Sequence, residues 1–465
     1  MTVELNSPVE SLVDFLRMKP SEKKMRFEHN PGRKLIPFFT RNPERYKFQD
    51  DFLEITGIIT RLSQNKAAEL EDIKDEFLLN LRSNLDVQTE VSDSELLELF
   101  QTSFTSTRRA QLLTYIPVGS GNERIGKQQV AKFMVELLGL KENTEWHRYV
   151  SAHEDNDLYS NVLSTALPEL KSEENYEKKF VIQNADQYRE LFSDDFHTLM
   201  QSENYNFISL NINQLLSYYF LLYLINEGPM LGKVDQVTAD YYFAYEKEKV
   251  SASRAAVTNG YERVKADVGE LLVYNDLTDY LNVLIGNVIP KMPETYDREV
   301  SIAKILNSDD SQLSRLVTNL RSFNQIYAET NDKQHVYSAP TLQVREQLLQ
   351  EINQLKGWLS EDTKVEIKSR FKKPYDEIRN LGYLKSRGRL GSVLNASQEL
   401  ILLFTAIVVG SREHMLVKNV FSGLEEHGLR FDKQSKKEIV DFFEEVNLLE
   451  KMSDSGDAQY VKPIL

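Results

Sequence analysis

Apolar residues recur at helical spacing along most of the chain, and the clearest succession of elements lies between Leu394 and Leu465. A first helix is predicted from Asn395, whose side chain can cap free backbone amides. Gln398 follows three residues on, as in a capping box, and the apolar run LILLFTAIVV comes next. Ser411 opens a second helix. Its apolar positions are Leu416, Val417, Val420, Phe421 and Leu424, and Gly428 stands where a left-handed residue would end it. A third begins at Ser435, with Glu438 completing an S-x-x-E box, and its stripe is Ile439, Val440, Phe443 and Val446. The period then changes from helix to strand: LLEKMSD and AQYVKPIL flank a turn of Asp454, Ser455, Gly456 and Asp457. Three helices closed by a hairpin predict a winged helix-turn-helix over residues 391–465.

The pattern upstream is also helical, so the fold class expected is mainly α, with multi-helical N-terminal and middle regions. Ser7-Pro8-Val9-Glu10 combines an N-cap, a first-turn proline and a capping-box acid, and starts a short helix that ends before Pro20. Residues 1–170 are read as a helical region carrying a basic loop strip, and 171–335 as a tyrosine-rich helical domain containing LLSYYFLLYLI. A polar stretch from Thr330 to Pro340 reads as a domain linker. Residues 341–390 are then a helix with Leu348, Ile352, Leu355 and Leu359 on one face, continuing into a basic connector broken at Pro374. Tyrosines at the density of 206–245 pack a core edge, or else stack exposed bases.

Composition narrows the functional classes. Of 465 residues, 41% are hydrophobic and 27% charged, as in a soluble globular protein with an ample core. There is no cysteine, which excludes disulfides, thiolate metal sites and a thiol nucleophile. The opening residues are acidic and helical in pattern rather than a cationic-then-apolar leader, so a cytoplasmic protein is expected. The runs from Leu215 and Leu400 are each about half a membrane span, and both are expected as buried helices. The net charge of −15 is unevenly distributed: Arg17 to Lys47 carries +7 and Lys364 to Arg389 carries +6, leaving about −28 (−15 − 13) elsewhere. Such segregation fits one basic face, either for phosphate or for an acidic partner.

The residues proposed to contact nucleic acid are therefore Lys372, Lys373, Arg379, Lys385, Arg387 and Arg389 of the connector, Lys436 and Lys437 of the third helix, and Lys451 and Lys462 of the hairpin. The third helix itself is a poor reader of DNA. Glu438, Asp441, Glu444 and Glu445 outweigh its two lysines, so a winged helix that docks protein, one that touches DNA through its wing and neighbours, and one that only packs all stay open. The N-terminal strip, with Phe27, Phe38, Phe39, Tyr46 and Phe48 among its cations, is either a phosphate-tracking groove or a solvated loop pinned by aromatics.

Gly121-x4-Gly126-Lys127, after a strand-like run and before an amphipathic helix, is most of a P-loop. However, Gln128 replaces the hydroxyl that would hold Mg²⁺, and Asp186 is only a weak imitation of a Walker-B acid. A nuclease metal could in principle use His147, His153, His197 and Asp194 or Asp195, but no spacing demands it, and Glu366-Ile367-Lys368 lacks the context of a nuclease motif. No catalytic residue, metal or cofactor is assigned.

The segment RGRLGSVLNASQELILLFTAIVV and the closing LEKMSDSGDAQYVKPIL resemble the C-terminal region of the DptG family of DNA phosphorothioation-dependent restriction proteins. The resemblance covers about a sixth of the chain. It implies a bacterial cytoplasmic defence component that works with DptF and DptH against DNA lacking backbone sulfur, with the ATPase and cleaving activities in those partners. The function expected is thus a non-catalytic, DNA-contacting and partner-docking subunit. The alternatives are a stand-alone winged-helix regulator and a metal- or nucleotide-dependent DNA-processing enzyme.

Overall fold

In the computed structural model, residues 7–16, 52–67, 70–85, 92–96, 110–119, 121–151, 165–172, 184–230, 240–286, 302–451 and 459–465 are described, with short pieces at 19–20, 25–26 and 36–37 and single positions at 48, 98, 180 and 182. Among these the architecture is mainly helical with few strands. The capping box at Ser7 and Glu10 forms as expected, each backbone N–H meeting the other's side chain at 3.0 and 3.3 Å, and starts α1 (Pro8–Phe15).

The larger apolar core surrounds one helix. α2 (Leu53–Ser63), α3 (Asn122–Leu138) and α4 (Ala185–Gln201) pack around α5 (Tyr205–Met230), whose residues Tyr218 to Leu224 are all 3% exposed or less. A helix apolar on every face must be enclosed by protein or lipid. By length and composition Tyr205–Pro229 could cross a membrane, but 83% of its apolar window is buried inside this molecule. The run from Leu215 is therefore the middle of a helix longer than its apolar stretch suggested. Tyr218, Tyr219 and Tyr223 have no face left for a base: all are 0% exposed, Phe133 packs on Tyr223 at 4.9 Å and Phe192 on Tyr219 at 5.3 Å. The stacking alternative for these three rings is overturned by their burial.

A second core unites α1 with α6 (Leu271–Ile285), α7 (Asp310–Thr330) and α8 (Val344–Asp362), through residues such as Leu12, Leu281, Leu320, Leu348, Ile352 and Leu355. Residues 331–343, expected as a domain linker, instead join the two helices of one hairpin. Their polar composition has a different cause. The loop is tied to the buried Glu351 carboxylate, which accepts from His335 Nε2 at 2.8 Å, Ser338 N–H at 3.3 Å and Asn324 Nδ2 at 2.9 Å.

Behind the bundle, α9 (Val365–Glu377) runs through Pro374 without breaking. The proline lies near the helix C-terminus, so it removes one hydrogen bond and the chain continues into a 3-10 turn, Ile378–Leu381. α10 (Gln398–Val409), α11 (Val417–Glu426) and α12 (Lys433–Glu445) follow. Two small sheets contain β1 (Tyr242–Tyr245), β2 (Leu384–Ser386), β3 (Ser392–Ala396), β4 (Met415–Leu416), β5 (Arg430–Phe431), β6 (Leu449–Lys451) and β7 (Gln459–Val461). One has the order β2-β3-β1-β5, with β1 parallel to both β3 and β5. In the other, β6-β7-β4, the pairs are antiparallel. The first sheet stitches residues 242–245 to 384–396 and 430–431, and Phe243 stands opposite both Leu394 and Phe431.

Candidate nucleic-acid interface

The three C-terminal helices form, with N-caps Ser397, Leu416 and Asp432 two, five and three residues from the predicted Asn395, Ser411 and Ser435. Asn395 belongs to β3, and Ser397 caps α10 by accepting the Leu400 N–H at 3.2 Å. α11 begins at Val417 rather than beside Ser411, because Met415 and Leu416 are extended against β7. α12 is capped by Asp432, whose Oδ1 accepts the N–H groups of Gln434 and Ser435, each at 3.1 Å. Ser435, expected as the cap, lies inside the first turn and donates instead to Glu248 Oε1 at 2.8 Å. Gly428 adopts the left-handed conformation predicted for it (φ +79°), and the β6–β7 hairpin forms. Its turn at 454–457 lies outside the described residues.

Arg254 fixes the first turn of α12 against the body of the protein. Its Nε and Nη2 reach the two Asp432 oxygens at 2.6 Å each, and Nη2 also donates to Glu248 at 3.0 Å. Burial would raise the Asp432 pKa, but the bonds from Arg254 and the Ser435 amide outweigh it and hold the carboxyl below its ordinary value. The exposed positions of α12 include Lys433 and Lys437, then Asp441, Glu444 and Glu445, so the outward face turns acidic along its length. Lys436 is not available to a ligand in the same way: it pairs with Glu425 at 2.6 Å and lies over the Phe421 ring.

The connector cations divide. Lys373, Arg379, Lys385 and Arg389 are exposed, Lys372 and Arg387 half-buried. Arg379 donates to Ser392 Oγ at 2.8 Å, and Lys385 and Arg387 reach the Glu246 carbonyl at 2.7 and 3.4 Å. Arg379, Lys385, Arg387 and Arg389 thus gather on the β2–β3 hairpin and the turn before it, at one edge of the four-stranded sheet. The opposite edge, β5, leads into α12. α12 packs back over β1, with Phe442 stacked on Tyr245 at 5.8 Å, and leaves Asp441, Glu444 and Glu445 exposed. Lys462 is half-buried after β7, and Lys451 ends β6 with its side chain outside the described residues.

The remaining candidates do not assemble. Ala110–Leu113 is helical rather than a strand, and α3 already starts at Asn122, with Gly121 (φ +81°) as its cap. Gly126 and Lys127 therefore lie within a helix, and no glycine-rich loop is left to cradle a phosphate. Lys127, 11% exposed, pairs with Glu54 at 2.9 Å, and Glu54 also accepts the Gly119 N–H. Asp186 is an exposed first-turn residue of α4 paired with Arg189. Among the described residues no three side chains form a metal-ligating group. His147 bonds the Lys141 carbonyl, His197 lies between Glu145 and Gln201, and His153 falls outside the described residues. Glu366 and Lys368 lie on α9 rather than a strand, with Lys368 bound to Glu270 at 3.0 Å. Most of the N-terminal basic strip is likewise outside the described residues.

One polar constellation was not anticipated. Asp195 Oδ2 accepts the Tyr219 hydroxyl at 2.7 Å, its Oδ1 accepts His427 Nε2 at 2.8 Å, and Tyr218 donates to the His427 carbonyl at 2.7 Å. These bonds tie α4 and α5 to the end of α11. The signal was present in the sequence: Asp195 occupies the same helical stripe as Tyr188, Phe192 and Leu199, where a carboxylate needs a buried partner. No protein-family model matches the chain, and no curated protein is significantly similar to it in sequence.

Proposed function

We propose that this chain is a non-catalytic subunit of a bacterial, cytoplasmic restriction assembly of the DptG type, in which the C-terminal unit is a winged helix that docks a partner protein while the β2–β3 hairpin holds DNA phosphate. The partners would be DptF-like and DptH-like subunits, and the DNA a duplex. The winged-helix part rests on the element order α10-β4-α11-β5-α12-β6-β7 and on the sheet order β6-β7-β4, in which the strand between the first two helices pairs with the hairpin. The observation that carries the division of labour is the separation of charge. Arg379, Lys385, Arg387 and Arg389 share one sheet edge, whereas α12 presents Asp441, Glu444 and Glu445 outward. Phosphate attracts the first surface and repels the second. A stand-alone regulator would require α12 to read base edges, against three carboxylates on its exposed face.

The test is duplex binding by fluorescence anisotropy across a salt series, run beside co-purification with DptF and DptH homologues. The triple variant Arg379→Ala, Lys385→Ala, Arg389→Ala should lose affinity and flatten the salt dependence by about 0.9 in log K per log salt for each phosphate contact removed. Neutralising α12 with Asp441→Asn, Glu444→Gln and Glu445→Gln should leave DNA binding in place and weaken partner recovery. Unchanged DNA binding in the first variant, or unchanged partner recovery in the second, refutes the corresponding half.

A further inference from the structure

A cleft of about 320 Å³ opens where α5, the 3-10 turn Ile378–Leu381 and the start of α10 converge. That is the small end of the range for ligand pockets, roughly 300 to 1,000 Å³. Its polar lining is mostly carboxamide and hydroxyl: Asn211, Asn213, Gln214, Ser217 and Asn380. Some of these groups are held in place by the protein. Gln214 Nε2 donates to Ser397 Oγ at 3.2 Å, Ser217 and Tyr383 share a hydrogen bond of 2.8 Å, and Tyr383 also donates to the Gln214 carbonyl at 3.2 Å. Asn211 and Asn380 each give one N–H to a neighbour, the Phe207 carbonyl and Glu377 respectively, leaving their carbonyl oxygens for a ligand.

Asn213 is different. It is 6% exposed, and among the described residues neither its nitrogen nor its oxygen has a hydrogen-bond partner. Leaving a buried donor or acceptor unpaired is unfavourable, so an orphan amide beside a polar cleft favours any ligand that pairs it. Because the amide is itself out of solvent, pairing takes a rotation of the side chain into the cleft.

The lining also says which ligands are unsuitable. Among the described residues Glu399 is the charged one there and no lysine or arginine lines the cleft, so phosphate and carboxylate groups are disfavoured. Phe52, Leu210 and Leu381 supply apolar surface for the faces of a flat ring. A carboxamide presents a donor and an acceptor side by side, the pattern that pairs with the edge of adenine. We infer that this cleft binds a nucleobase, as a free nucleoside or as an unpaired base of a strand, with Asn213 turning to pair its edge. This goes beyond duplex contact by the β2–β3 hairpin and does not depend on it, since a duplex keeps its bases stacked and paired.

The experiment titrates the full chain with adenosine and the other common nucleosides by saturation-transfer NMR, and with a short oligo(dA) by anisotropy. Wild type should bind adenosine with a dissociation constant below about 1 mM, and adenosine monophosphate several-fold more weakly because of Glu399. Leu210→Trp, at a rim position 52% exposed, should block the cleft without touching the core, and Asn213→Leu should weaken binding about tenfold or more, the loss of one hydrogen-bonding group. If Asn213→Leu fails to fold, Leu210→Trp carries the test. Adenosine silent but oligo(dA) bound, and lost in Leu210→Trp, identifies the occupant as an unpaired base. No binding of any nucleoside or of the strand up to about 1 mM, binding indifferent to Leu210→Trp, or monophosphate bound as tightly as adenosine overturns the proposal.

Discussion

Replacing Asp195 by Ala should be among the most damaging single changes to this chain, and pH should reveal why. Both ring nitrogens of His427 face acceptors: Nδ1 meets the Gly423 carbonyl at 2.7 Å and Nε2 meets Asp195 at 2.8 Å. A neutral imidazole can donate only once, so this environment selects the doubly protonated ring. Burial pulls the His427 pKa down, but the hydrogen bond and charge of Asp195, the Gly423 carbonyl and nearby Glu426 outweigh it and leave the net shift upward. Tyr218, Tyr219 and the Phe404 ring, 5.3 Å away, complete the surroundings. Deleting one partner of such a buried pair costs about 3–5 kcal/mol. Asp195→Asn keeps the shape and one acceptor, so its cost should be nearer the 1.5–3 kcal/mol or so of a charge-assisted bond. The sign with pH follows from linkage. A histidine whose pKa is raised on folding contributes its full stability below the unfolded value of about 6.5 and loses it as pH rises through the folded value. Urea melts followed by tryptophan fluorescence, at about pH 6 and about pH 8.5 on either side of that value, should show a gap between wild type and His427→Gln that narrows at the higher pH. A gap that does not narrow, or an Asp195→Ala cost under about 1 kcal/mol, far below a buried pair, would refute the charged contact.

Two further substitutions probe the packing around it. A β-carbon at Gly228 would come within 2.1 Å of the Tyr375 hydroxyl oxygen, so Gly228→Ala should lower stability by at least the 1–3 kcal/mol or so of an overpacked core. Adding Tyr375→Phe should recover part of it, a non-additivity readable in thermal melts. Arg254→Ala leaves Glu248, whose side chain is 0% exposed, without its cation. A loss of about 3–5 kcal/mol in urea unfolding is expected, with faster proteolysis at the start of α12; a variant as stable as wild type would refute a stabilising role for the Arg254 contacts.

How much of this was legible depended on element length. Helices that repeat an apolar stripe over several turns, such as Leu348, Ile352, Leu355 and Leu359 of α8, could be read directly, and so could the capping box at Ser7 and Glu10. The four-stranded sheet could not. Its strands are two to five residues long, too short to display a period of two, and its parallel pairings join Phe243 to Leu394 and to Phe431, far apart in the chain. Caps erred for a related reason. Asn395 and Asp432 both have capping side chains, and only tertiary pairing of β3 decides that the first extends a strand. The cationic connector was visible as a run, yet its grouping on one hairpin came from that same sheet. The Gly121 to Lys127 pattern misled because spacing alone cannot tell a phosphate loop from a helix N-terminus whose lysine has a carboxylate to meet.

The same sheet bears on how the proposed docking unit should be dissected. The C-terminal helices are not a module on a tether: Ile439, Phe442, Phe443 and Val461 share one core with Leu215 to Ile225 of α5. β1 pairs with β3 and β5, Tyr218 and Asp195 both hold His427, and Arg254 holds Asp432. Removing residues beyond Thr363 would therefore strip protein from an all-apolar helix, leave the Asp195 carboxylate without His427 and leave Arg254 without Asp432. Aggregation of such a truncation is the physical expectation, and a loss of DNA or partner binding in it would report collapse of the core rather than loss of a contact. Substitutions at exposed Arg389 and Glu444 leave that core intact, so differences they produce in binding can be assigned to the surfaces that carry them.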